Sequence, residues 1–176
     1  MTRSDEVRVR RATPADAADI ARLALEIQDA HVAAQPGLFK SGGGESHTEI
    51  GSRVIAPGQF YWVATLADVA VGYAYARLVT DPESLWRYAS RWLLLDQMGV
   101  DARHRSRGIG EALWNAVRET AMAEAVDRVV LNVWSFNRGA RRFYEQLGFT
   151  SFQERMAFDI QTAERPIRLN FFIPDI

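Results

Sequence analysis

The stretch Val100-Asp-Ala-Arg103-His-Arg105-Ser-Arg107-Gly108-Ile-Gly110 constrains this chain more than any other. An apolar, strand-like run over residues 93–100 leads into it, and an amphipathic helical pattern starting near Gly108 comes after it. Strand, tight turn and helix in that order leave the N–H groups of the turn and of the first helical turn free to face an anion. Gly108 and Gly110 let the backbone approach a ligand closely, while Arg103, Arg105 and Arg107 surround it with positive charge. The spacing predicts a pyrophosphate cradle.

Bulk composition narrows the ligand classes. A chain of 176 residues suits one domain, since chains of this size bury roughly 70% of their extended surface. We read residues 1–176 as a single domain, with 159–176 as a C-terminal extension packing on the core or on a partner subunit. With 21 basic and 22 acidic side chains and a formal charge of -1, no global field gathers nucleic acid or an anionic membrane. No apolar run approaches the roughly 20 residues needed to cross a bilayer. The first residues lack the apolar core of a signal peptide, so cytoplasmic residence is the expectation. The absence of cysteine excludes disulfides and a thiol nucleophile. His31, His47 and His104 are too scattered to suggest a zinc site.

The periodicities give a chain order of β-α-α-β-β-β-α-β-α-β. Residues 7–11 alternate as an edge strand, and Thr13-Pro14 opens a helix whose Ile20, Leu23, Ala24 and Ile27 form one buried face. Residues 30–48, with Pro36, Gly37 and glycines at 42–44, read as a loop beside the site, and 49–55 as a short helix. Residues 60–66 and 69–79 form a hairpin turning near Asp68, and 92–100 is the next strand. Next come a helix over 108–125, a strand over 129–133, a helix over 137–146 ended by Gly148, and a strand over 152–160. The tail 167–172 is extended and hydrophobic; as a further strand or a subunit contact, it points to a homodimer. A doubly wound dinucleotide fold would carry its glycine-rich turn after the first strand, and no Gly-Lys-Ser/Thr ending of a P-loop is present.

Two blocks carry a family resemblance. Arg105-x-x-Gly108-x-Gly110 after a strand ending in Val100 resembles the acetyl-coenzyme A motif of the GNAT superfamily of N-acetyltransferases. Leu131-Asn-Val-Trp134 and then Asn137-x-x-Ala140-x-x-Phe143-Tyr144-Glu-x-x-Gly148-Phe149 resemble that superfamily's second block. The resemblance covers residues 7–158. It implies an α/β (α+β) fold: a mixed, mostly antiparallel twisted sheet with helices on both faces and a splayed central strand pair. It further implies acetyl-coenzyme A as acyl donor. The backbone from Arg103 through Arg105, Ser106, Arg107, Gly108, Ile109 and Gly110 would hold the pyrophosphate. Met98 and Val100 would bond the pantetheine arm along the open strand edge, with Asn137 and Ala140 contributing from the second block. Tyr144 matches the general acid that protonates the departing thiolate. Asp96 stands where many members carry glutamate, one methylene shorter, so proton removal is either direct or relayed by water.

The chemistry these residues would perform is N-acetyl transfer by direct attack in a ternary complex. The backbone N–H near Met98 is the candidate oxyanion donor, and the Tyr144 phenol keeps its proton at neutral pH. Bland roles stand beside each assignment: core packing for Tyr144, a solvated strand position for Asp96, packing or solvent for Gln97, and a plain helix cap for Asn137. The acceptor is read as a small amine. Trp86, Tyr88 and Trp92 are candidate pocket walls, with His31 and Phe39 closing it, and Glu26, Asp29, Glu45, Asp81 and Glu83 tilt the surroundings toward a cation. A protein or peptide acceptor and a non-catalytic acyl-coenzyme A sensor are the alternatives.

Overall fold

The apolar alternation after residue 58 folds as a long hairpin, β2 (Gln59–Leu66) and β3 (Val69–Asp81). Ala67 and Asp68 close it at φ 48° and 62°, the left-handed pair whose twist matches that of the strands it joins. The computed structural model describes residues 6–42 and 44–158. The chain forms two units, Met1–Phe136 and Asn137–Ile176.

In the first unit β1 (Arg8–Arg11) pairs antiparallel with β2, and β4 (Ser90–Val100) pairs antiparallel with β3. Only β5 (Val129–Leu131) runs parallel to its neighbour, β4, giving the order β1-β2-β3-β4-β5. This is the mixed, mostly antiparallel sheet expected. Strand side chains alternate between faces, and the hairpin uses both. Tyr61, Val63, Tyr73 and Tyr75 pack with Ile20 and Leu23 of α1 (Ala17–Ala34) and with Ile50 and Val54 of α2 (His47–Val54). Gly72, one residue from Tyr73, faces Ile109 and Leu113 of α3 (Ile109–Ala123) instead. Leu113 and Val117 are fully buried, each side chain contributing roughly 1.5–3 kcal/mol by leaving water.

Local chemistry explains the helix ends. Asp16 accepts from the Thr13 N–H and hydroxyl at 2.7 and 2.9 Å and from the two terminal guanidinium nitrogens of Arg10, starting a single 3-10 turn that runs into α1. Ser46 and Glu49 form a reciprocal capping box at α2. α1 continues to Ala34, beyond the loop boundary expected at residue 30, and α2 begins at His47 rather than 49.

The second unit holds α4 (Arg138–Gln146). Asn137 caps it by accepting from the Ala140 N–H at 3.1 Å. At its other end Gly148 takes φ 93°, the Gly148 N–H donates to the Glu145 carbonyl, and the Phe149 N–H donates to that of Tyr144. That bond pair is a Schellman closure, which needs glycine at the left-handed position. Two strand expectations are corrected. β5 stops at Leu131, two residues early. Residues 151–158 adopt no strand, and Phe152, Met156 and Phe158 are exposed. Alternation gives a segment two faces but not a neighbour. Gly43 and the extension 159–176, with the expectations for its tail, lie outside the described residues.

Candidate active site

The site begins with a register shift. Tyr75 pairs with Gln97 and Ala76 with Leu95, so Asp96 is an extra residue bulged out of β4. The β5 pairing ends at the same level, with Leu95 opposite Leu131. From Asp96 to Val100 the strand therefore keeps β3 and lacks β5, which is the splay expected. A bulge re-aims the residues beyond it. The Asp101 N–H donates to Val71 of β3 at 2.9 Å; backbone groups alternate along a strand, so those of Met98 and Val100 turn to the open side. The Val100 carbonyl there accepts from Arg105 Nε at 3.2 Å. Asp96 is exposed and its Oδ2 accepts from Arg77 Nε at 3.2 Å.

Beyond Val100 the chain makes a 3-10 turn, Ala102–His104, then reaches α3 through Arg105, Ser106, Arg107 and Gly108. Ser106 and Gly108 take φ 62° and 77°. Among the described residues no acceptor is paired with the N–H groups of Arg105, Ser106, Arg107, Gly108, Ile109 or Gly110. Successive free N–H groups in a turn that alternates handedness, at the positive end of a 15-residue helix, form an anion seat. These residues fit a diphosphate. The Ile109 side chain is 1% exposed and belongs to the core, leaving only its N–H for a ligand.

The turn is held by a residue that the sequence pattern did not single out. Asp101 is 3% exposed. Its carboxylate accepts from the Arg103 N–H at 2.9 Å and from that guanidinium at 3.1 and 2.8 Å, and Arg22 Nη1 lies 3.9 Å away. The Arg103 pair holds Asp101 far below the usual carboxylate range. Arg103 is thus committed to Asp101, whereas Arg107 has no ion-pair partner among the described residues. The signal was present as an aspartate two residues before Arg103, a turn-capping position.

In the second unit Tyr144 sits on α4, half-buried, its ring edge-on to Phe143 and Phe149 at 5.4 and 5.5 Å. Burial pushes its phenol up to about 12. Asn137 and Ala140 bond each other at the helix cap, so that N–H is already matched.

Residues 24–149 match the acetyltransferase (GNAT) family. The chain belongs to this family. A segment of 93 residues, 53% of the chain, is 36% identical to the N-acetylaspartate synthetase of Rattus norvegicus, and covers 28% of that protein. The match thus spans less than a third of that relative's length. A mutant of the BH1408 protein from Bacillus halodurans superposes with a TM-score of 0.83 at 25% identity, over 87% of this chain and 99% of that one. An aminoglycoside N-acetyltransferase in complex with coenzyme A shares the fold, with a TM-score of 0.69 at 17% identity over 90% and 97% of the two chains.

The pocket walls expected for this GNAT chain are redistributed. Trp86 and Tyr88 are 90% and 89% exposed, and Trp92 donates from its indole to Asp81 at 3.2 Å. His31 and Phe39 do meet, with ring centroids 4.9 Å apart, and join Phe136 and Trp134 in one aromatic cluster. A half-open cavity of about 290 Å³ lies elsewhere in the same unit, lined by α1, α2, β2, β4 and the loop at Gly44 and Glu45, and including Tyr61 and Gln97. No cluster of metal-ligating side chains occurs among the described residues, and none of their helices is long and apolar enough to cross a membrane.

Proposed function

We propose that this chain transfers the acetyl group of acetyl-coenzyme A to a small primary amine, by direct attack within a ternary complex. The observation that carries this reading is the run of unpaired N–H groups from Arg105 to Gly110, set immediately beyond a strand edge that has lost its partner. Family membership supplies the donor, and relatives named for N-acetyl transfer favour an amine as acceptor.

The donor supplies an acetyl carbon activated as a thioester. In the net reaction the amine nitrogen bonds that carbon and the carbon–sulfur bond breaks; nitrogen gives up a proton and sulfur gains one. The seat over residues 105–110 would bind the diphosphate, with Arg107 adding an unmatched cation. The N–H of Met98, on the open side of β4, would hold the charge developing on oxygen. Asp96 is assigned to accept the amine proton, directly or through water. Its pair with Arg77 keeps the carboxylate oriented at the bulge. Tyr144 is assigned to supply the proton to sulfur; a phenol raised to about 12 still carries its proton at neutral pH.

The test is release of coenzyme A thiol from acetyl-coenzyme A across a panel of small amines and peptides, with binding of coenzyme A measured by calorimetry. Turnover of small amines with micromolar coenzyme binding is expected. No affinity for either form of the coenzyme would overturn the reading, binding without turnover would make the chain a sensor, and peptide-only turnover would replace the acceptor class.

A further inference from the structure

The β3–β4 hairpin outruns the sheet that carries it. β2 accompanies β3 only as far as Arg77, opposite Gln59, and β5 meets β4 only from Leu93, opposite Val129. The rungs from Val79 with Trp92 to Asp81 with Ser90 therefore form a two-stranded ribbon beyond both neighbours. Its base is fastened. Arg91 Nη2 pairs with Glu124 Oε2 at 2.8 Å, and the Trp92 indole donates to Asp81 at 3.2 Å. Its end is a fixed turn: the Ser84 N–H donates to the Arg87 carbonyl at 2.9 Å, and the Ser84 hydroxyl oxygen accepts from the N–H groups of Trp86 and Arg87 at 3.3 and 3.1 Å.

That turn holds apolar side chains in water. Leu85, Trp86 and Tyr88 are 95%, 90% and 89% exposed. Single exposed apolar residues are ordinary, but three within four positions, two of them aromatic, mark a contact surface. Charge narrows the partner. Of the charged residues at the tip, Asp81 is matched by Trp92 and Arg91 by Glu124. Glu83 and Arg87 have no side-chain partner among the described residues. An anionic membrane or a nucleic acid would select a surplus of cations, which a tip of balanced charge lacks. One free acid on the β3 arm and one free base on the β4 arm suit a second tip. A two-fold axis perpendicular to the hairpin plane sets each β3 arm against the other copy's β4 arm. Glu83 of either copy then faces Arg87 of the other, around a centre of Leu85, Trp86 and Tyr88. An aromatic side chain buries roughly 150–250 Å², so two tips with their leucines reach about 1,000 Å², the lower bound of a specific interface. The Ser84 bonds order the turn beforehand, so little conformational freedom is lost on contact.

We infer that this tip is a self-association surface, and that its occupant is the same tip of a second copy of the chain. The small area makes the dimer a weak one, with a dissociation constant in the tens of micromolar. The tip joins β4 at Ser90, and the anion seat follows Val100 at the other end of that strand. At strand rise the two ends lie roughly 30 Å apart, so paired tips leave the seat of each copy open. The inference does not rest on acetyl transfer.

The experiment is sedimentation velocity of the full chain across a concentration series, read beside its charge variants. The unaltered chain passes from monomer to dimer over the micromolar range, and Trp86→Arg stays monomeric. Glu83→Arg and Arg87→Glu each weaken dimerisation about tenfold by setting like charges opposite one another. Mixing those two variants restores it, because a doubly basic tip then faces a doubly acidic one. All three positions are exposed, so circular dichroism and thermal midpoints match across the set. A monomer at every concentration overturns the inference. So does a dimer indifferent to Trp86→Arg, whose interface lies elsewhere, and so does a mixture no tighter than its components. Trp86-dependent co-sedimentation of a monomeric chain with phosphatidylcholine–phosphatidylserine vesicles overturns it in favour of a lipid surface.

Discussion

Ile109, the first residue of α3, rests on Gly72 of β3: a Cβ at Gly72 would stand 3.1 Å from Ile109 Cγ2 and 3.1 Å from the Gly99 carbonyl oxygen. The missing side chain lets the start of α3, with its free N–H groups, settle against the strand pair that carries Gly99 and Val100. Gly72→Ala must push either the helix or the β4 backbone by a few tenths of an ångström. The expected cost is about 1–2 kcal/mol, read as a lower urea midpoint, with a several-fold rise in KM for acetyl-coenzyme A (roughly what about 1 kcal/mol implies). A midpoint loss with unaltered KM would show that the anion seat does not depend on this contact.

Gly108 separates two roles of the same loop. Nothing lies within 4 Å of a Cβ built there, yet its φ is 77°. Gly108→Ala therefore introduces backbone strain alone, about 1–2 kcal/mol. Because relaxing that strain turns the N–H groups, coenzyme A affinity measured by calorimetry should fall about fivefold or more. An unchanged dissociation constant would remove the loop from the binding site.

Tyr144→Phe keeps the ring that packs on Phe149 beside the Schellman turn and deletes only the phenol. Thermal stability should hold while kcat falls about 10²-fold, the range of a lost general acid. The pH profile of the unaltered protein carries a second check. A group raised to about 12 stays protonated, so kcat should show no alkaline decline up to about pH 10. A falling limb near neutral pH would assign the acid to another group.

Asp16 sets an acid limb of stability. It is 8% exposed, and Arg10 foremost, with Thr13, lowers it from 3.8 to about 2. A depressed folded value means that the contribution is complete above about pH 4 and disappears as the pH falls through about 2. The shift corresponds to roughly 2 kcal/mol, lowered by solvent around the half-exposed Arg10. In urea titrations Asp16→Asn should lose about 1–2 kcal/mol near pH 6 and converge on the unaltered protein near pH 2. A constant gap across that range would show that the charge is immaterial.

What was legible before folding was local. The strand, the Arg-rich turn, Gly108 and the helix after it lie within a few residues of one another, and their order dictates free N–H groups whatever surrounds them. The cap at Asn137 and the closure at Gly148 were readable for the same reason. The segment 151–158 misled because period-two alternation records two faces, whereas a strand also needs a neighbour. Asp101 was passed over because its carboxylate looks like any loop acid until its own N–H is tied to the Val71 carbonyl and Arg22 comes within 3.9 Å of the carboxylate.

By itself, then, the amino-acid order determined the element succession as far as α4, which arises from short-range periodicity and backbone stereochemistry. The sheet's mixed character came from the family resemblance, and the anion seat was an expectation of the Arg-rich turn. Tertiary structure alone decided that Asp96 bulges, because a register shift exists only relative to β3. It also decided that Tyr73 and Tyr75 find Gln97 and Gln59. Those pairings join residues 24 and 16 positions apart, distances over which sequence spacing carries no geometry and only the packed sheet does.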